Sequence, residues 1–348
     1  MVAETDTLLF CASFFGYAAE IKREMERRGR VVAWFEDRPA TDVLSKALIR
    51  TAPSVFRDRA ESYFASIGAR FKDSPIRDIL VIKGEALTPA AIKTLRSRFP
   101  NARFTLYFWD SYRNMPRNSP EKVSLFDRVL TFDPLDAAAD ARLIYRPLFF
   151  LPEYATLSSG NEVIDLLFVA TLHSDRYAVL KRIAAVLPPD KTLTSILFLR
   201  SRLLYRIQRI IDPSLWTSMR ATLTFTPIKK PELLSLIARA RIVVDIERTV
   251  QSGFTMRAIE MLGAGKKLIS TNAALRDAEF YHPNNIAVVD RRKPELTETF
   301  LNAPYRTPSD ELLHRYSLSG WLDDVLPSSF ERRSARDRSL TDALPEPV

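Results

Sequence analysis

Residues 251–272, QSGFTMRAIEMLGAGKKLISTN, set a basic and an acidic side chain, Arg257 and Glu260, three positions apart behind a Gly-Phe-Thr run. Three positions along a helix is about one turn, so both side chains share a face. The first turn of a helix has backbone N–H groups without partners, and Gly253 lets the chain approach a ligand closely. Gly253, Phe254 and Thr255 therefore read as the lip of an anion site. Arg257 suits a diphosphate, and Glu260 can accept hydrogen bonds from ribose hydroxyls. An ordinary crossover helix with an exposed Arg–Glu pair would show the same spacing.

Further carboxylates sit where strands should end. VIKGE and LYFWDS each place one, Glu85 and Asp110, just past an apolar run. A carboxylate there can act as general base toward a hydroxyl, or it can cap a helix and satisfy loop amides. Lys83 stands two residues before Glu85, able to tune its charge or hold a phosphate. Gly16, in SFFGY, falls in the first strand-to-helix turn and either admits a ligand or makes a tight turn.

These residues need a scaffold that gathers strand ends. The chain has 348 residues, enough for two domains; 46% hydrophobic and 27% charged residues describe a globular protein. Apolar runs of five to eight residues alternate with longer amphipathic stretches, the pattern of a parallel α/β fold. Six strands are expected in the first half (TLLFCAS, RVVAWFE, DILVIKG, RFTLYFWD, RVLTFD, RLIYRP). Six more are expected in the second (IDLLFVATL, LTSILFL, ATLTFTP, ARIVVDIE, KKLISTN, NIAVVD). Between them LPEYATLSSGNEV, rich in turn formers, reads as a linker. The expected domains are 1–153 and 154–326, two doubly wound Rossmann-like units facing a central cleft, with a polar, disordered tail over 327–348.

Composition narrows the partners. A net charge of +9 favours anions. No zinc-finger spacing and no basic leucine zipper is present, which argues against nucleic acid. The single cysteine excludes an intrachain disulfide, and no second His or Cys stands at metal-ligand spacing from His173. TLLFCASFF reads as a buried strand rather than a signal peptide, and no apolar run reaches the roughly 20 residues of a membrane span. A cytoplasmic protein is expected. LRSRLLYRIQRII, 199–211, mixes arginine with aliphatics at helical spacing; it reads either as a face for an anionic membrane or as a half-buried helix with solvated arginines.

The 252–272 segment resembles the donor-binding segment of GT-B glycosyltransferases. Ser252 stands where the family carries a first Glu, and Glu260 fills the second Glu position, eight residues on. SFFGY, FEDRP, VIKGE, LYFWDS, FDP, RPLFF and TLHSDRY precede it in the order of a bacterial branch serving capsule, exopolysaccharide or lipopolysaccharide assembly. The resemblance implies a nucleotide-sugar donor, a glycan or lipid-linked glycan acceptor, and no metal or other cofactor. It implies donor contacts from His173, Ser174 and Arg176 in TLHSDRY, where Ser174 also suits a helix N-cap. It makes Asp110 or Glu85 the base. Ser252 departs from the two-Glu pattern, which weakens the transfer of a retaining mechanism and leaves retention or inversion open. A non-catalytic nucleotide-sugar or glycan-binding subunit fits the same features.

Overall fold

The computed structural model describes residues 4–13, 16–39, 53–116, 119–157, 162–172, 175–211, 221–247 and 252–327. The chain forms two compact units, Met1–Pro147 with Leu318–Val348, and Leu148–Ser317.

In the first unit the strands are β1 (Thr7–Phe10), β2 (Val32–Phe35), β3 (Asp78–Ile82), β4 (Arg103–Phe108), β5 (Arg128–Thr131) and β6 (Ile144–Tyr145). They form one parallel sheet in the order β2-β1-β3-β4-β5-β6. The second unit has β7 (Ile164–Thr171), β8 (Leu193–Phe198), β9 (Ala221–Thr224), β10 (Ala240–Asp245), β11 (Lys267–Ser270) and β12 (Ile286–Val288). Its parallel order is β12-β11-β10-β7-β8-β9. Parallel strands are covered on both faces, so they read as unbroken apolar runs. Every residue of β1 and β3 is indeed buried. All twelve expected strands form, and strand order reverses between β1 and β3 and between β7 and β10. Such reversal points are where α/β sheets bind ligands.

Two parts of the expected organisation differ. The first is the join. Residues 151–157 are not a free linker: Pro152–Ala155 is a short helix, and Leu151 and Tyr154 are buried. Pro152 is a helix-start signal rather than a loop signal. The chain enters the second unit at Leu148, where Phe150 donates its N–H to the Tyr316 carbonyl at 2.9 Å. Phe150 also covers Gly263, at which any Cβ would collide with its ring.

The second difference is the C-terminal helix, Leu318–Val325, which belongs with the first unit. Trp321 is fully buried there, edge-to-face on Tyr107 with ring centroids 4.9 Å apart. Arg28 reaches Asp323 at 2.7 Å, and Arg103 donates to the Pro327 carbonyl at 2.6 Å. The expected tail, beyond Pro327, lies outside the described residues. Trp321→Ala should cost about 3–5 kcal/mol of stability, the range for deleting a buried aromatic. Urea unfolding followed by Tyr and Trp fluorescence checks it, and an effect below about 1 kcal/mol would deny this docking.

Candidate functional site

In the first unit the candidate groups are set by a turn after β3. Lys83 has φ 70° and Gly84 φ 63°; Lys83 is the only described non-glycine residue with positive φ. A left-handed lysine costs about 1–2 kcal/mol unless its surroundings hold it. Here the Lys83 N–H donates to the Tyr107 carbonyl at 2.9 Å, and the buried Lys122 ammonium donates to the Gly84 carbonyl at 3.0 Å.

The turn folds Glu85 back between two cations. Its carboxylate lies 2.9 Å from Lys83 Nζ and 3.1 Å from Arg38 Nη1. Arg38 also meets the buried Asp37 at 3.1 Å, and Lys83 Nζ lies 3.4 Å from Asp110 Oδ2. The result is an alternating chain, Asp37–Arg38–Glu85–Lys83–Asp110, laid across the ends of β2, β3 and β4. Burial pushes the Asp37 carboxyl up, although Arg38 pulls it down.

The structure therefore brings the two expected carboxylates together through Lys83 and gives them different surroundings. The Glu85 side chain is 1% exposed, whereas that of Asp110 is 31% exposed. Asp110 also accepts from Asn114 Nδ2 at 2.9 Å. Gly16, at φ 79°, is the exposed N-cap residue of the Tyr17–Arg27 helix.

In the second unit Thr255 caps the Met256–Gly263 helix. Its hydroxyl accepts from the Ala258 N–H at 3.1 Å and donates to Asp245 Oδ2, at the end of β10, at 2.6 Å. Burial raises the Asp245 carboxyl; the Thr255 hydrogen bond opposes that rise. The Gly253 carbonyl accepts from Asn272 Nδ2 at 3.2 Å, and Phe254 packs edge-to-face on Phe280 at 5.3 Å. These three residues build the helix entry and aim its first-turn N–H groups.

Arg257 and Glu260 do share a face, and it is not the solvent face. Their side chains are 19% and 10% exposed, with Nη1 and Oε2 3.8 Å apart. Arg257 Nη1 is buried without a hydrogen-bond partner. Tyr154 lies beside Glu260; its phenol is raised by burial first and then by the Glu260 charge.

His173 and Ser174 lie outside the described residues. The N-cap residue of the Arg176–Ala185 helix is Asp175 rather than Ser174. Arg176 donates from Nε to the Ile246 carbonyl at 2.7 Å and from Nη1 to the Thr171 carbonyl at 3.2 Å, tying the ends of β7 and β10 at the reversal point.

Sequence reasoning missed one hub entirely. Arg291, just after β12, donates to Glu247 Oε1 at 2.9 Å, Thr271 Oγ1 at 3.0 Å and Asp175 Oδ1 at 2.7 Å. Thr271 donates in turn to Glu247. The hydrogen bonds from Arg291 hold the Asp175 carboxyl below its usual range. A single guanidinium thus joins segments following β7, β10, β11 and β12. Only the charges at strand ends, in VVDIE and VVDRR, hinted at it. Among the described residues, no group of three or more His, Cys, Asp or Glu could hold a metal ion.

No protein-family model matches the chain, and neither does any curated protein. Solved structures do. A glycosyltransferase from Rickettsia africae aligns with a TM-score of 0.60 at 12% identity, over 94% of this chain and 100% of that one. Anabaena HepE, in complex with UDP and glucose, aligns at 0.55 and 13%, over 93% and 98%. The Neisseria meningitidis UDP-GlcNAc 2-epimerase bound to UDP-GlcNAc aligns at 0.52 and 11%, also over 93% and 98%.

The fold is GT-B. At such low identity the likeness is one of architecture.

Lys122 offers a test of the first cluster. Burial lowers its pKa from 10.5 to about 8, against the fields of Glu85 and Asp37. Between those values the unfolded chain binds more protons, so this group makes the fold more stable as pH rises through the window. Lys122→Met removes that rising contribution. The melting temperature of the wild type minus that of the variant should widen from pH 8 to 10.5; a constant difference would refute the buried ammonium.

Proposed function

We propose that this GT-B chain is a glycosyltransferase that moves a sugar from a nucleotide-sugar donor to a bacterial surface-glycan acceptor, in lipopolysaccharide, capsule or exopolysaccharide assembly. We assign it to the cytoplasm, at the inner face of the membrane, and to metal-independent chemistry.

The observation that carries the reading is Arg257. It is a mostly buried cation whose Nη1 makes no hydrogen bond, in the first turn of a Thr-capped helix beside the β7/β10 reversal point. A diphosphate supplies the missing acceptors there, with the helix N-terminus and its dipole adding to the attraction. Glu260, 3.8 Å away, suits ribose hydroxyls. The UDP and UDP-GlcNAc complexes of the fold neighbours favour a uridine diphosphate sugar as the first donor to try.

In an inverting course Asp110 accepts the acceptor hydroxyl's proton as its oxygen attacks the anomeric carbon. The bond to the nucleoside diphosphate breaks, and the charge developing on the leaving group is met by Arg257 and the helix N–H groups. Lys83 positions Asp110. Glu85, closed in by two cations, orients Lys83 instead of acting as base. The first unit thus takes acceptor activation and the second takes donor binding.

Thermal-shift screening against UDP-, GDP- and dTDP-sugars tests this reading. A ligand at 100 times its Kd adds about 2.7 kcal/mol to folded stability. One donor class should raise the melting temperature, and Arg257→Ala should erase that rise. Asp110→Asn should keep the shift yet slow donor consumption roughly 10²–10⁴-fold, the usual worth of a general base. Chelator should leave turnover unchanged. Epimerised donor without transfer, or binding with no turnover on any glycan, would replace the transferase reading with an epimerase or a binding subunit.

A further inference from the structure

The Arg202–Ile211 helix follows β8 in the second unit. An amphipathic helix on a globular protein ordinarily turns its apolar stripe to the core. Here the stripe points outward. Leu203, Ile207 and Ile210, at i, i+4 and i+7, are 66%, 44% and 78% exposed. Tyr205, among the described side chains, packs against the core of the second unit. Arg209 lies over the Tyr205 ring at 5.9 Å, and Arg202 over the Phe225 ring at 5.7 Å. Arg200 and Arg206 are exposed, and residues 199–211 contain four arginines and no acidic residue.

We propose that this face is a docking surface for a bilayer rich in anionic lipid. The three aliphatic side chains enter the boundary between headgroups and acyl chains, while Arg200, Arg202 and Arg206 meet lipid phosphates. Two features favour lipid over protein. Protein interfaces centre on aromatic anchors, whereas this stripe is purely aliphatic. A second copy of the chain, docked on the same face by two-fold symmetry, would set arginines against arginines. At ten residues the helix is too short to cross a bilayer, so the proposed contact lies in the plane of the surface. The proposal is independent of the sugar-transfer reading.

The test is co-sedimentation of the full chain with vesicles of phosphatidylcholine alone or mixed equally with phosphatidylglycerol. Partitioning should strongly favour the mixed vesicles and fall at high salt. The triple variant Leu203→Ser/Ile207→Ser/Ile210→Ser should lose partitioning by roughly tenfold or more with an unchanged melting temperature, since the altered side chains face solvent. Arg200→Gln/Arg206→Gln, which leaves the stripe intact, should weaken binding and flatten its salt dependence. Equal affinity for both vesicle types would overturn the proposal, as would undiminished binding by the triple variant. So would self-association of the wild type that the triple variant abolishes without any vesicle binding.

Discussion

A parallel sheet delivers the carboxyl ends of all its strands to one edge, and in this chain many strands arrive there carrying charge. Asp37 and Arg38 follow β2, Lys83 and Glu85 follow β3, Asp110 follows β4, Asp245 and Glu247 close β10, and Arg291 follows β12. Taking an ion out of water costs several kcal/mol unless it is paired and hydrogen-bonded. Crowded charges of low exposure must therefore neutralise one another. The first unit does this with a linear alternation of carboxylates and cations. The second does it with Arg291 as a hub.

That requirement explains backbone features that local preference would not give. The left-handed Lys83–Gly84 turn is unfavourable alone, yet it is what lets one lysine reach both Glu85 and Asp110. A Cβ on Gly84 would come within 2.9 Å of Val81 Cγ1, so the turn needs glycine there for space as well as conformation. Pairing also sorts the functional groups. Glu85 is enclosed by Lys83 and Arg38, and Arg176 is committed to the Ile246 and Thr171 carbonyls. Asp110 stays the most open carboxylate of its cluster, and Arg257 keeps a nitrogen without a hydrogen bond. The groups that pairing leaves least saturated are those best placed to take a ligand.

The strands were legible in the sequence because burial on both faces writes itself as a continuous apolar run. The shared face of Arg257 and Glu260 was legible too, since helical spacing is local. Three things were not. LPEYA reads as loop because of its proline and polar residues, and only the burial of Tyr154 against the Met256–Gly263 helix region marks it as packed structure. Leu318–Val325 carries no local sign that it packs with the first unit; that depends on Tyr107, more than 200 residues earlier. Arg291 reaches partners 20, 44 and 116 positions away, separations at which no periodicity survives.

The mounting of the Met256–Gly263 helix bears on how a charged ligand would be held. Asp245 accepts the hydrogen bond from the Thr255 hydroxyl, which turns the hydroxyl's lone pair toward the Ala258 N–H. One side chain thus fixes the helix start to the end of β10. At the other end Gly263 lies flush under Phe150, and Asn272 grips the Gly253 carbonyl just ahead of the cap. Arg257 and Glu260 sit between these anchors, with Tyr154 against Glu260. A helix held at both ends cannot swing to meet a charge. It must present its dipole and its cation already aimed, so little reorganisation would be needed to meet an anionic ligand there. The buried pair gives up hydration and a tight salt bridge, 3.8 Å being beyond hydrogen-bond range, in exchange for that fixed orientation.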